Sequence, residues 1–443
     1  MTRREEETLA GVPEGAKQAR EAQWRWYWVE PSVWTDRMLA ALEHGVKGGK
    51  WFSLIDKVYS LDNLYAAADK VHSNKGAPGV DHVTVEMFVR DLETNVSKLH
   101  KSLRAETYHP QAIRRKWIPK PGSTEERPLG IPTVRDRVAQ TALRNVTEPI
   151  FERDFAQHSY GFRPGRGCKD ALRRVEALLK QGHVHIVDAD LKSYFDTIPH
   201  EALLERIKEK ISDGRVMKLI EAYLKQGILE DLKEWTPEKG TPQGAVISPL
   251  LANIYLDPLD HLMAEAGFEM VRYADDFVVL CRSRVEADRA LQKITMWTSG
   301  AGLTLHPEKT KIVHAVTEGF DFLGYHFERG TRRPRKKSLK KLKDTIRAKT
   351  KRTNGHSLNV IIQDVNQVLI GWFGYYKHSH WKTFRILDTW IRMRLRSILR
   401  RRSGRHGRGQ GHDHLRWPNA YFAKQGLFAL KLASETARQS VLR

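Results

Sequence analysis

The chain has 443 residues, with 75 lysines and arginines against 53 acidic residues, a formal charge of +22 and a pI near 9.8. That length exceeds one ordinary core and suits two or three packed units, while so large a positive charge predicts attraction to polyanions, nucleic acid being the commonest. Two cysteines, Cys168 and Cys281, exclude a disulfide framework and a four-ligand zinc site, no apolar run approaches the roughly 18 residues that span a bilayer, and the charged N-terminus lacks an apolar signal core, so a soluble protein of a reducing, cytoplasmic compartment is expected.

Residues 1 to about 20 are polar and expected to be loose. From Gln23 to Trp51 the chain turns tryptophan-rich, and Leu39, Leu42 and Val46 recur at helical spacing, which predicts a helical extension docked on the main body. Its aromatics could stack on bases, but packing into the core is the preferred reading. From Ser60 to about Gly330 short β-like runs alternate with helices, without the strict rhythm of a doubly wound sheet. Helices are predicted over Asp62–Val71, Ala171–Gln181 and Pro249 to about Ala266, the last opening on a proline in its first turn. HVHIVDADL reads as a strand, and EMVRYADDFVVLC as two β-rich arms around a polar centre, the pattern of a hairpin. After Gly330 the composition shifts. RRPRKKSLKKLKDTIRAKTKR reads as a basic linker passing into a helix, and VNQVLIGWFGYYKH and ILDTWIRMRLRSILRRR as further helices. In the second, Leu387, Ile391, Leu395 and Ile398 form an apolar stripe, leaving Arg392, Arg396, Arg400 and their neighbours to the remaining surface. RRRSGRHGRGQGHDH reads as a low-complexity basic loop. Three units follow: 1–59, 60–330 and 331–443.

The unusual chemistry lies in two places. Asp275 and Asp276 sit together at the hairpin tip of Tyr273-Ala274-Asp275-Asp276, where two adjacent carboxylates between apolar strands repel one another unless a cation is near. HIVDADLKSYFDTIPH crowds Asp188, Asp190 and Asp196 around a strand end in an otherwise strongly basic protein. Acids gathered this way suit two divalent metal ions roughly 3.5–4 Å apart, as phosphoryl transfer to a 3′-hydroxyl requires, and Mg²⁺ favours such oxygen ligands.

With these motifs in order, the sequence resembles a group II intron-encoded reverse transcriptase, or maturase, from about Ser60 to the C-terminus. SLDNLYAAADKVHSNKGAPGVD, WIPKPGSTEERPLGIPTVRDRVAQTAL, HSYGFRPGRGCKDAL, DADLKSYFDTI, GTPQGAVISPLLANIYL, VRYADDFVVLC, GLTLHPEKTKI and FDFLGYHF are similar to the family's successive polymerase motifs. Eight in order over roughly 270 residues exclude chance. The resemblance implies an α+β right-hand polymerase: fingers and palm with an RRM-like antiparallel sheet flanked by helices, and an α-helical thumb in 331–443. It matches Asp190, Asp275 and Asp276 to the catalytic, metal-holding aspartates, with the Leu191 carbonyl as a further ligand, and Asp196 to a second acidic position of structural role. Phe195 falls at the aromatic that would collide with a ribose 2′-hydroxyl and so selects dNTPs, core packing being its alternative reading. Lys120 and Arg127 suit the β- and γ-phosphates. Gln243 lines the nucleotide pocket, and Gly244 lets the backbone approach closely. Lys309 is the candidate late-motif lysine, a general acid toward pyrophosphate, with Lys311 two residues on as the competing assignment.

The resemblance further implies Mg²⁺ (two ions, with Mn²⁺ as a substitute), dNTPs, an RNA template with a DNA or RNA primer, a DNA target and a ribonucleoprotein with the group II intron RNA, whose splicing and retrohoming the protein would assist. Nucleic-acid contacts are expected from Arg332, Arg333, Arg335, Lys336, Lys337, Lys340 and Lys341, and from Arg392, Arg396, Arg400, Arg401 and Arg402. Many members carry a C-terminal DNA-binding segment and a cysteine-rich endonuclease; no cysteine follows Cys281, so no strand-nicking activity is expected. Retron-type enzymes would show NAxxH and VTG elements, diversity-generating enzymes an altered ISPLLAN segment, and RNA-dependent RNA polymerases GDD without an aromatic gate. The remaining alternatives are a relative adopted for host repair or defence, and a splicing maturase with little polymerase activity.

Overall fold

Short runs rich in β-branched and aromatic residues form the sheets, and helices with apolar stripes at helical spacing wrap them. The computed structural model describes residues 25–46, 48–119, 126–231 and 233–439. An all-antiparallel four-stranded sheet stands at the centre, in the spatial order Glu269–Tyr273, Asp276–Cys281, His185–Asp190, Lys311–His314. Helices Ser248–Glu265, Arg284–Gly300 and Cys168–Lys180 pack on it. A second sheet joins Glu126–Ile131, Ile113–Pro119, Ile228–Glu230 and Lys233–Trp235. Beside it the helix Leu61–Asn74, N-capped by the Ser60 hydroxyl, packs on the long helix Val134–Glu152. The α+β architecture is the one the sequence predicts, and the predicted helices appear as Leu61–Asn74, Cys168–Lys180 and Ser248–Glu265.

The tryptophan-rich segment folds into the core. Trp26 and Trp34 are each 2% exposed, the Trp34 indole N–H donates to the Asn145 carbonyl at 2.9 Å, and the Trp26 indole donates to Glu43. These two rings are therefore packing residues and are unavailable for stacking on bases. The helix here is Asp36–His44. It buries Leu42, while Val46 lies beyond its end because Gly45, at φ +86°, turns the chain out.

The stretch after Gly330 is no linker. Thr331–Pro334 pairs with Tyr325–Glu328, which in turn pairs with Phe320–Phe322, so the boundary expected after residue 330 falls inside a hairpin. Helices Lys336–Lys349, Leu358–Tyr376 and Trp381–Arg402 follow around a separate core that includes Leu342, Ile346, Val365, Leu369, Leu387, Ile391, Leu395 and Ile398. Among the described residues no helix is long and apolar enough to cross a membrane.

Candidate active site

Strand register assembles the acids. His185–Asp190 runs antiparallel to Asp276–Cys281, so that Asp190 stands directly opposite Asp276. On the other side of Asp276 the partner is Tyr273, leaving Ala274 and Asp275 as a two-residue turn. Ala274 adopts φ +60° there, the left-handed backbone that tight hairpin turns demand. The period-two alternation that points Val187 and Ala189 into the core turns Asp188 and Asp190 to the opposite face. Leu191 forms a bridge with Leu305 whose hydrogen bonds run from the Lys192 N–H to Thr304 and from the His306 N–H to the Asp190 carbonyl. The Leu191 carbonyl takes no part in it.

The carboxylates disturb one another. Asp276 is pushed up to about 7, first by burial and then by Asp188, Asp275 and Asp190. Asp188 rises to about 6, again mainly by burial, against the pull of Lys311. Asp275 is raised by burial, with Asp190 adding to it. Such a set favours whatever brings positive charge. Among the described residues no three acidic, histidine or cysteine side chains already converge into a complete ligand set. Asp190 is turned instead to Lys309, whose ammonium lies 2.6 Å from Oδ2. Lys311 stands in the sheet opposite Asp188. The oxygen-only donors fit Mg²⁺ chemically.

The nucleotide-side candidates lie on adjoining elements. Phe195 is half-buried, packed against the core and edge-on to Tyr194 and Phe162. Its carbonyl accepts from the Thr241 N–H at 2.6 Å, which ties its segment to the loop carrying Gln243. The Gly130 N–H donates to the Gln243 carbonyl at 2.6 Å. Gly244 has φ +110°, and a Cβ there would stand 2.3 Å from the Gly130 oxygen, so only glycine fits this crossing. Arg127 is exposed on the strand Glu126–Ile131, opposite Ile118. Lys120 lies outside the described residues. Asp196 is exposed and lines, with Arg115, Trp117, Trp235 and Gln243, a cavity of about 420 Å³.

Sequence reasoning missed the support beneath the turn. Arg272 is 1% exposed. Its guanidinium takes both oxygens of Asp260, Asn253 Oδ1 at 2.9 Å and the Ala274 carbonyl at 3.0 Å. Asn253 Nδ2 in turn donates to the Gly161 carbonyl at 2.8 Å. A signal existed: Arg272 follows the apolar Met270-Val271 in EMVRY, and Asp260 lies within the largely apolar SPLLANIYLDPLDHL, each costly to bury unless paired.

The basic C-terminal residues divide into two classes. Lys336, Lys337, Lys340 and Lys341 are exposed, as is Arg333. Arg335 is half-buried, and its charge is felt at Asp276. Arg335, Lys337, Lys340, Lys341, Trp372 and Tyr376 line a groove of about 630 Å³. Three of these arginines engage partners within the protein. Arg396 is 2% exposed and donates to the Trp417 carbonyl and Asn419; Arg332 pairs with Glu176 and bonds the His378 carbonyl; Arg400 pairs with Asp413. Arg392 is half-buried, while Arg401 and Arg402 are exposed, with bonds to His406 and to the carbonyls of Asn354 and His356.

Comparison with known proteins adds an independent line. Residues 118–327 match the family profile described as reverse transcriptase (RNA-dependent DNA polymerase), and residues 339–417 match the group II intron, maturase-specific domain. Protein YkfC of Escherichia coli is 36% identical over 308 residues, covering 60% of this chain and 80% of that protein. The group II intron-encoded protein LtrA of Lactococcus lactis is 41% identical over 213 residues, covering 48% of this chain and 35% of that protein. An uncharacterized 91 kDa protein in the cob intron of Schizosaccharomyces pombe is 33% identical over 330 residues, covering 61% and 40%. The matches thus span less than half the length of the latter two relatives.

Proposed function

The chain belongs to the group II intron-encoded family of reverse transcriptases and maturases, and from that premise we propose that Asp190, Asp275 and Asp276 are the metal-holding catalytic residues of cDNA synthesis on an RNA template. The observation that carries this assignment is the register that sets Asp190 opposite Asp276 beside the Ala274-Asp275 turn. These carboxylates, with the Leu191 carbonyl, would hold two Mg²⁺ ions, for which Mn²⁺ can substitute. When bound, the ions supply the positive charge that activates the primer 3′-hydroxyl and steadies the leaving pyrophosphate. Lys309, beside Asp190, donates a proton toward that pyrophosphate. Arg127 and Lys120 clamp the triphosphate, Gln243 and Gly244 form the floor of the nucleotide pocket, and Phe195 excludes a 2′-hydroxyl.

RNA is held by Arg335, Lys337, Lys340 and Lys341 along the groove that Trp372 and Tyr376 also line, with the exposed Arg333 and Lys336 beside them in sequence. Cations beside flat aromatic surface suit a phosphate backbone and its bases. The same surface serves the intron ribonucleoprotein, splicing assistance and copying into a DNA target. Primer extension on an RNA template tests the assignment. The variant carrying Asp275→Ala and Asp276→Ala is expected to lose extension in Mg²⁺ and in Mn²⁺ alike while still binding template; wild-type dNTP incorporation by it would sink the site.

A further inference from the structure

Phe162 adopts φ +58°. A bulky side chain rarely enters this left-handed region, which costs on the order of 1–3 kcal/mol and persists only where the surroundings impose it. Here they do, on both sides. Before it, Gly161 lies against the hairpin turn, where a Cβ would stand 2.2 Å from the Ala274 nitrogen, and its carbonyl is held by Asn253. After it, the Arg163 guanidinium is gripped by both oxygens of Glu152 and by the carbonyls of Ala156 and Ser159. The chain passes between these clamps in a conformation that glycine would take at no steric cost. What phenylalanine contributes at this position is therefore its ring.

That ring leaves the residue 46% exposed, so core packing does not account for it. It stands 6.5 Å from the Phe195 ring at 80°, an edge-on pair. Phe195 also meets Tyr194 at 5.6 Å and 63°, and Tyr194 is itself fixed by its hydroxyl bond to the Ala252 carbonyl at 2.6 Å. The half-buried Phe195 ring thus has one rigid aromatic neighbour and one held in place by a strained backbone.

We propose that Phe162 is a positioning residue for sugar discrimination: its ring braces Phe195 in the orientation that rejects a ribose 2′-hydroxyl. The inference rests on Phe195 being the gate. It joins HSYGFRPGRG, a segment given no site residue above, to nucleotide choice, and it makes the clamp through Gly161 and Ala274 a route by which the aspartate turn and the gate share one support.

Single-nucleotide incorporation with dNTP and rNTP, on Phe162→Gly, Phe162→Tyr, Phe195→Ala and the Phe162→Gly, Phe195→Ala pair, tests it. Phe162→Gly relieves the strained φ, which offsets the added freedom of its unfolded chain and the lost ring contacts, so its melting temperature should stay close to that of the wild type. Its preference for dNTP over rNTP should nonetheless fall roughly three- to tenfold, the equivalent of one aromatic pair. Phe162→Tyr should keep the preference, and the double variant should be no worse than Phe195→Ala alone. If Phe195→Ala loses discrimination and Phe162→Gly does not, the brace is wrong and the gate stands. If the two losses simply add, Phe162 acts elsewhere and the brace is again wrong. Unchanged discrimination in Phe195→Ala removes the gate, and the brace with it.

Discussion

Lys309 and Arg272 are both cations beside the proposed catalytic acids, yet they do different work because their surroundings differ. The Lys309–Asp190 pair is largely solvent-exposed, and such pairs contribute about 0–1 kcal/mol. Lys309→Ala should leave thermal stability nearly unchanged while slowing incorporation by roughly 10²-fold, the usual contribution of a positioned proton donor. Pre-steady-state extension beside a melting curve separates the two. Arg272 is buried with Asp260, and removing one partner of such a pair costs about 3–5 kcal/mol because the other charge is left unpaired. Arg272→Met should therefore unfold at much lower urea concentration. Adding Asp260→Leu should restore much of that stability but not activity, since the Ala274 carbonyl still lacks its donor. Full activity in the restored double variant would show that the network only stabilises.

At the scale of elements, the tryptophan-rich extension is a structural brace. Trp34 fills the core and bonds the Asn145 carbonyl within the helix Val134–Glu152. Trp34→Ala should cost about 3–5 kcal/mol through the cavity it leaves, and Trp34→Phe only about 1 kcal/mol for the lost hydrogen bond. Both are measurable by urea titration, and a neutral Trp34→Ala would contradict the packing. In the C-terminal helices the spacing of Leu387, Ile391, Leu395 and Ile398 matches the buried stripe. Counting from that stripe does not tell which arginines on the rest of the helix are free, because Trp417 and Asn419 fold back over Arg396.

For the whole molecule, a charge of +22 predicts binding to RNA that weakens steeply with salt. Replacing Lys336, Lys337, Lys340 and Lys341 by glutamine should lower the slope of log affinity against log salt by about 3, in fluorescence-anisotropy titrations with RNA. Arg396→Gln should leave that slope unchanged and lower the melting temperature, since its guanidinium is spent on the Trp417 carbonyl and Asn419. An equal loss of slope in both variants would refute this division of the basic surface.

What the sequence by itself determined was local and periodic. The α+β class, the aspartate hairpin, the strand carrying Asp190 and the main helices are written in spacings of two and of three to four residues, with glycine and proline marking the ends. It also carried the order of the eight motifs, and so the family. Tertiary structure alone decided what depends on neighbours distant in sequence. Residues 331–334 close a hairpin because Tyr325–Glu328 offers a strand edge; Arg272 finds Asp260, Asn253 and the turn it supports; Arg332, Arg396 and Arg400 find partners on other elements. Phe162 meets Phe195 across 33 residues of chain only because the Gly161 backbone is pressed against Ala274. A residue type states which charge or ring is present, whereas long-range packing sets whether that group is buried, paired or left to act.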